Sequence, residues 1–333
     1  MILRLAALLA AALSSWLLTG AARRYAQRAE LLDVPNERSL HRTPTPRGGG
    51  IAVAAVTLTG FVVAALLSWI PADVAWPLAV GGGLVAVVGW LDDRRGVSAP
   101  VRAVVHAIAA GWAVCWIWGE LTPWAVVGVV CIMWAINLYN FMDGIDGLAG
   151  AEAVSVGLIS GTLLLMVSRS DLATVAFLVA AATSGFLVWN WPPARIFLGD
   201  VGSGFLGFTF GALSLMADRS GALPFALWMV VAGVFVFDAT VTLLRRMARG
   251  QRWYHAHRSH AYQRLVQAGR SHAEVTAGVV LVNLALGTIC WMALSGRVGV
   301  TVAVLAGIIL LTVLYLAIER RRPMFPDQEV EPR

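Results

Sequence analysis

Long apolar runs broken by short polar stretches set the pattern of this chain. The runs lie near residues 2–21, 50–70, 76–91, 101–118, 122–139, 150–168, 172–189, 203–217, 222–244, 274–294 and 299–318. A helix that crosses a bilayer needs roughly 20 mostly apolar residues, and shorter ones are tolerated inside a bundle. The pattern predicts an all-α, polytopic integral membrane bundle of about eleven helices. One transmembrane domain is expected over 1–318, and a disordered tail over 319–333. The first run has no basic segment ahead of it beyond Arg4 and is followed by Ala21-Ala-Arg-Arg24, so it reads as a spanning helix rather than a cleaved signal.

Composition supports the same class. Of 333 residues 59% are hydrophobic and 13% charged, with a mean hydropathy of +0.75, which leaves too little polar surface to cover a soluble domain. The basic residues, apart from histidine, are all arginine. With the N-terminus outside, only Arg4, Arg169, Arg219 and Arg297 fall on the outer side and the other arginines fall inside. That asymmetry orients the chain with its polar loops cytoplasmic. Cys115, Cys131 and Cys290 stand singly in apolar runs and are expected to be inert buried thiols rather than a disulfide or a zinc site.

The polar chemistry gathers in the cytoplasmic connections. The densest stretch is Asn137-Leu-Tyr-Asn140-Phe-Met-Asp143-Gly144-Ile-Asp146-Gly147, set between runs of almost purely apolar sequence. Polar oxygen is costly to hold at a membrane edge, so such residues point to function, and glycine lets backbone approach a ligand closely. Four further groups project from the same face: Leu32-Asp33 to Gly50, Asp92-Asp93-Arg94-Arg95, Asn190 to Gly204, and Arg252 to Arg264 with His255, His257 and His260. Carboxylates from separate helices with basic residues beside them suit a nucleotide diphosphate bridged by Mg²⁺, which uses one or two carboxylates plus substrate phosphates. Gly199-Asp200-Val-Gly202-Ser203-Gly204 opens a helix, so its amides are expected to meet an anion. Asp143 and Asp146, three apart, share a face if their segment is helical.

Each group also has a plainer explanation. Asp92-Asp93 beside Arg94-Arg95 is compatible with an interfacial helix cap, Asp143 and Asp146 with a structural calcium or a solvated helix end, and the histidine loop with attraction to anionic lipid. His106, alone in an apolar run, suits a packing role, and tryptophans such as Trp16, Trp76, Trp90 and Trp118 suit interfacial anchors.

Taken in order, Leu32-Asp33-x-Pro35-Asn36-x-Arg38-x-x-His41, Pro46-x-Gly48-Gly49, Asp92-Asp93, Asn137-x-x-Asn140-x-x-Asp143-Gly-x-Asp146-Gly and Phe197-Leu-Gly199-Asp200-x-Gly202-Ser203 resemble the polyprenyl-phosphate N-acetylhexosamine-1-phosphate transferase family. The resemblance covers nearly the whole chain. It implies transfer of a sugar 1-phosphate from a UDP-sugar to undecaprenyl phosphate with release of UMP. It further implies Asp200 and Asn140 as ligands of Mg²⁺, with Mn²⁺ able to substitute, and Asp92 and Asp93 at the lipid phosphate, Asp92 as the favoured residue to deprotonate or position it. Asn190 corresponds to a family asparagine at the nucleotide, and Arg102 stands where relatives often carry lysine. Asn137, Asp143, Asp146, His255, His257 and His260 complete the implied substrate contacts. The stretched His255-Ala-His257-Arg258-Ser-His260 resembles the O-antigen initiating branch more than the peptidoglycan translocase, and Ser39 replaces a common basic residue.

The implied partners are a UDP-sugar, undecaprenyl phosphate and membrane lipid, with no nucleic acid; a homo-oligomer is compatible with the sequence. Two rival classes remain at this level. Leu198-Gly199-Asp200 is similar to part of an intramembrane aspartyl protease motif but has Phe197 where that motif has glycine. A polytopic transporter would carry its ionisable groups nearer the bilayer midplane.

Overall fold

The computed structural model of the protein describes residues 2–35, 40, 43–120, 122–251 and 257–325. In chain order the helices are α1 (Ile2–Arg28), α2 (Gly50–Leu66), α3 (Ala72–Arg95), α4 (Ala99–Trp118), α5 (Pro123–Met142), α6 (Leu148–Met166) and α7 (Ser170–Asn190). They continue as α8 (Gly199–Arg219), α9 (Phe225–Val231), α10 (Gly233–Ala248), α11 (Ala261–Gln267), α12 (His272–Leu294) and α13 (Val300–Arg321). A two-residue antiparallel pair, β1 (Leu32–Asp33) and β2 (Thr45–Pro46), lies between α1 and α2 with Leu32 opposite Pro46. Helices suit this setting because each spanning backbone satisfies its own polar groups.

Local signals start and stop these helices. Thr122 caps α5 by accepting from the Ala125 amide at 3.2 Å, with Pro123 in the first turn, where its missing N–H costs nothing. Gly119, at φ +74°, ends α4 in the left-handed conformation that favours glycine. Ser271 and Glu274 cap α12 reciprocally, Glu274 N–H to Ser271 Oγ at 3.2 Å and Ser271 N–H to Glu274 Oε2 at 2.8 Å.

Among the described residues nine helices are long and apolar enough to cross a membrane. The other two expected spans are less regular. The run 50–70 yields only the 17-residue α2. The run 222–244 is not one helix: it breaks at Ala232 into α9 and α10, which diverge by 89°. Apolar content is continuous across that break, so hydropathy does not reveal it. Of the tail expected over 319–333, Glu319 to Arg321 belong to α13, where Glu319 binds Arg245 and Arg264 at 2.7 and 2.6 Å, and residues 326–333 lie outside the described residues. Of the three free thiols only Cys290 is buried; Cys115 is exposed on α4.

The core is organised around α8. Its apolar window is 94% buried, against 17% for the peripheral α1 and α13, and it packs on α2, α3, α4, α5, α7 and α9. Asn283 of α12 donates to Glu152 Oε2 at 2.6 Å and Ser155 Oγ at 2.8 Å on α6, a buried polar tie across an otherwise apolar seam. The N-terminal end of α8, which carries Asp200, is held against the ends of α3 and α5 by side chains of those helices.

Candidate active site

The turn before α2 and the turn before α8 are joined by main-chain hydrogen bonds. Phe197 N–H donates to Pro46, Gly49 N–H to Phe197 and Gly50 N–H to Leu198, each at 2.8 Å. This pairing sets Arg47 beside the first turn of α8, where its Nη2 donates to the Asp93 main-chain oxygen at 2.6 Å.

Asp93, in the last turn of α3, is buried at 6% exposure. Its Oδ1 accepts from the Asp200 amide at 3.0 Å and its Oδ2 from the Val201 amide at 3.2 Å. The amides at the start of α8 do meet an anion, but that anion is the protein's own Asp93 rather than a substrate phosphate. Two glycines make the contact possible. Gly199 sits at φ +75°, and a Cβ there would strike the Asp93 carboxylate; a Cβ at Gly89 would overlap the Asp200 main chain.

Asp92 faces differently. It accepts from the Val97 amide and forms a short ion pair with Arg102, whose Nη1 also reaches Asp200 Oδ2 at 2.7 Å. Asn140 of α5 donates to Asp200 Oδ1 at 2.8 Å and to Ser203 Oγ at 3.3 Å. Arg102, Asp92, Asn140 and Asp93 thus converge on Asp200 from α3, α4 and α5.

The segment after α5 is not helical, so Asp143 and Asp146 do not share a helix face: α5 ends at Met142 and α6 begins at Leu148. Burial first, then the negative charges of Asp200, Asp93 and Asp146, lift the Asp143 carboxyl to about 8. Asp146 is turned the other way, its Oδ2 accepting from the Ala194 amide at 3.1 Å and lying 3.3 Å from His272 Nδ1. Asn190 is wholly engaged, accepting from the Gly147 amide at 3.1 Å and donating to the Ile196 oxygen at 3.0 Å, so it ties the two loops together. Tyr262 adds a further brace by donating to the Phe141 oxygen at 3.1 Å, and burial holds its phenol well above the usual range and protonated.

A cavity of about 280 Å³ results, lined among others by Arg47, Asp93, Asp143, Asp146, Asp200 and His272. Not every expected residue belongs to it. Asn137 is exposed and donates to Met133 of its own helix at 2.7 Å. His255 lies outside the described residues. His260 is buried with Nδ1 3.4 Å from Asp238 Oδ1, and its ring is 4.9 Å from that of His257. Burial, with His260 and Arg246 beside it, pulls His257 down to about 3, so its ring is neutral and offers a hydrogen bond but no charge.

Four residues of this region were not singled out from the sequence. Arg47 occupies the variable position of Pro46-x-Gly48-Gly49, where a motif gives no hint. Gln263 lines the cavity and accepts from the His260 amide at 3.2 Å. Asp238 accepts from the amides of Ala261 and Tyr262 at 2.9 and 3.3 Å and so fixes the histidine segment. His272 is a lone histidine with no spacing partner, and only the fold brings it to Asp146.

Residues 75–218, which carry Asp92 through Asp200, match the model of Glycosyl transferase family 4. The chain is 30% identical over 285 residues to a Bacillus subtilis (strain 168) protein named probable undecaprenyl-phosphate N-acetylglucosaminyl 1-phosphate transferase, covering 77% of this chain and 75% of that one. The chain belongs to the polyprenyl-phosphate N-acetylhexosamine-1-phosphate transferase family. The decaprenyl-phosphate N-acetylglucosaminephosphotransferase of Mycolicibacterium smegmatis is 30% identical over 338 residues, 86% of this chain and 80% of its own. The undecaprenyl-phosphate alpha-N-acetylglucosaminyl 1-phosphate transferase of Escherichia coli (strain K12) is 28% identical over 294 residues, 80% and 78% of the two chains. For this member of the transferase family, Arg47 and His272 stand outside the segment that the family model matches.

Proposed function

We propose that the protein transfers an N-acetylhexosamine 1-phosphate from a UDP-sugar to undecaprenyl phosphate, releasing UMP. An oxygen of the lipid phosphate attacks the sugar-bearing phosphorus, the bond from that phosphorus to UMP breaks, and a polyprenyl-diphosphate-linked sugar remains. The names of the relatives supply the acceptor class and N-acetylglucosamine as the first sugar to test. The observation that carries the reading is the meeting of Asp93, Asp143 and Asp200 with Arg47 in one cavity, with Arg102 bound to Asp200.

The residues fit a divalent cation in one specific sense. The Asp143 carboxyl has no hydrogen-bond partner among the described residues and stands amid like charge, a condition that a bound cation relieves. Among the described residues no three His, Cys, Asp or Glu side chains converge closely enough to hold a metal by themselves. Mg²⁺ takes few protein oxygens and completes its shell with water and phosphate. Asp200 and Asn140, with Asp143 nearby, would hold it, and when bound it supplies charge stabilisation for the departing UMP phosphate. Asp92 holds Arg102 beside Asp200, ready for phosphate oxygens. Asp93 fixes the turn that presents Asp200. Phosphoryl transfer asks mainly for such placement and charge neutralisation.

In this reading the reaction runs at the cytoplasmic face of a bacterial inner membrane, as a first step in O-antigen or another cell-envelope polysaccharide. An intramembrane protease gains no support, since the Asp92 and Asp200 carboxylates that meet here are both taken up by Arg102. The test is UMP release by purified protein from a panel of UDP-N-acetylhexosamines, with and without undecaprenyl phosphate and Mg²⁺. Release that needs both is expected; no release from any donor would overturn the assignment.

A further inference from the structure

The cavity changes character along its length. At one end Asp93 binds the first turn of α8, Arg47 bonds Asp93, and Asp200 meets Arg102. Asp143 also lines the cavity and feels the charges of Asp200, Asp93 and Asp146. At the far end Asp146 contacts His272 and the Ala194 amide, with Asn190 and Gln263 also lining the space. Phosphates and cation belong with the arginines and with the Asp143 and Asp200 carboxylates. The nucleoside of the donor, uncharged and rich in hydrogen-bonding atoms, is left with the His272 end.

His272 is built for a fixed position. It is the first residue of α12, which the Ser271–Glu274 cap holds at its start. One turn on, Thr276 donates to the Asp146 main-chain oxygen at 3.2 Å, so α12 grips Asp146 at two points of one face. The His272 side chain is 15% exposed and borders the cavity. Its Nδ1 is taken up at Asp146, 3.3 Å from both the amide nitrogen and Oδ2. Nε2 is the ring's other polar atom and the one left for a ligand.

We propose that His272 is a donor-recognition residue, using Nε2 to hydrogen-bond the nucleoside of the UDP-sugar while Nδ1 locks the ring to Asp146. The proposal rests on the transferase function above and adds the residue that reads the nucleoside. A purely structural role, in which His272 only tethers Asp146, makes the opposite demand on replacements. An asparagine amide reaches about where Nδ1 lies and a glutamine amide about where Nε2 lies.

The experiment compares His272→Gln, His272→Asn and His272→Ala in purified full-length protein. It measures KM for UDP-N-acetylglucosamine and for undecaprenyl phosphate, UMP affinity by calorimetry, and thermal midpoint. Loss of one hydrogen bond to the nucleoside is expected to raise donor KM and weaken UMP binding about tenfold in His272→Asn and His272→Ala. His272→Gln is expected to recover most of the loss, and acceptor KM is expected to stay put in all three. The reverse order, rescue by asparagine with a restored midpoint and not by glutamine, would overturn the proposal in favour of a tether. Wild-type donor KM and UMP affinity in every variant would overturn it as well. If the wild type itself neither turns over any UDP-sugar nor binds UMP, it is the transferase assignment that fails.

Discussion

Replacing Asp93 by alanine separates a carboxylate that takes part in the chemistry from one that holds the machinery in place. Both carboxylate oxygens of Asp93 accept from α8 amides, at 3.0 and 3.2 Å. Loss of a helix cap costs about 0.5–2 kcal/mol, and hydrogen bonds to a charged group are worth about 1.5–3 kcal/mol each where they are well formed. Burial of the charge and the neighbouring Asp92 offset part of this, so a net loss of about 2–4 kcal/mol is expected for Asp93→Ala. The same change frees the turn that carries Asp200, and a shift of about 1 Å at a reacting group can cost on the order of 100-fold in rate. Asp93→Asn keeps one acceptor oxygen and is expected to recover part of both losses. Thermal unfolding of the detergent-purified variants, read beside UMP release, makes the check. If Asp93→Ala melts with the wild type while Asp93→Asn is equally inactive, Asp93 acts through its charge or proton and the capping account is wrong.

Two further outcomes follow from the same geometry. A side chain at Gly89 would sit on the Asp200 main chain, so Gly89→Val is expected to cost about 1–3 kcal/mol by overpacking. It should also abolish turnover, and a stable, active variant would contradict the close approach of α3 and α8. Asp143 holds its proton to about 8 in the folded protein, against 3.8 for an ordinary aspartate. Between those values the native state binds more protons than the unfolded chain, so stability without divalent cation falls as pH rises through that window. Thermal midpoints in chelator should therefore decline from pH 6 to about 8 and flatten in Asp143→Asn; equal slopes in the two proteins would contradict it.

Much of the architecture was legible because lipid imposes one demand, a long apolar helix, that hydropathy reports directly. The loops that meet at Asp200 were also legible, since carboxylates and asparagines are conspicuous in apolar sequence. Other features were not. Asn137 and Asn140 are three residues apart, about 300° around a helix. Asn140 reaches Asp200 while Asn137 turns to its own backbone. The α9–α10 break lies within continuous apolar sequence, which carries no mark of direction. The helix-opening glycines pointed to a ligand anion, but the amides they open are taken by Asp93 from another helix, which spacing does not reveal. His272 comes to Asp146 from 126 positions away, a pairing that only packing determines.

The most direct test of the central claim is Mn²⁺ binding, followed by electron paramagnetic resonance on the purified protein with UDP-N-acetylglucosamine present. Wild type and Asn137→Ala, whose side chain faces away from the site, are expected to hold the ion, and Asp200→Asn is expected to lose it. Equal Mn²⁺ binding by Asp200→Asn and wild type would show that the carboxylates gathered around α8 do not form the cation and diphosphate site.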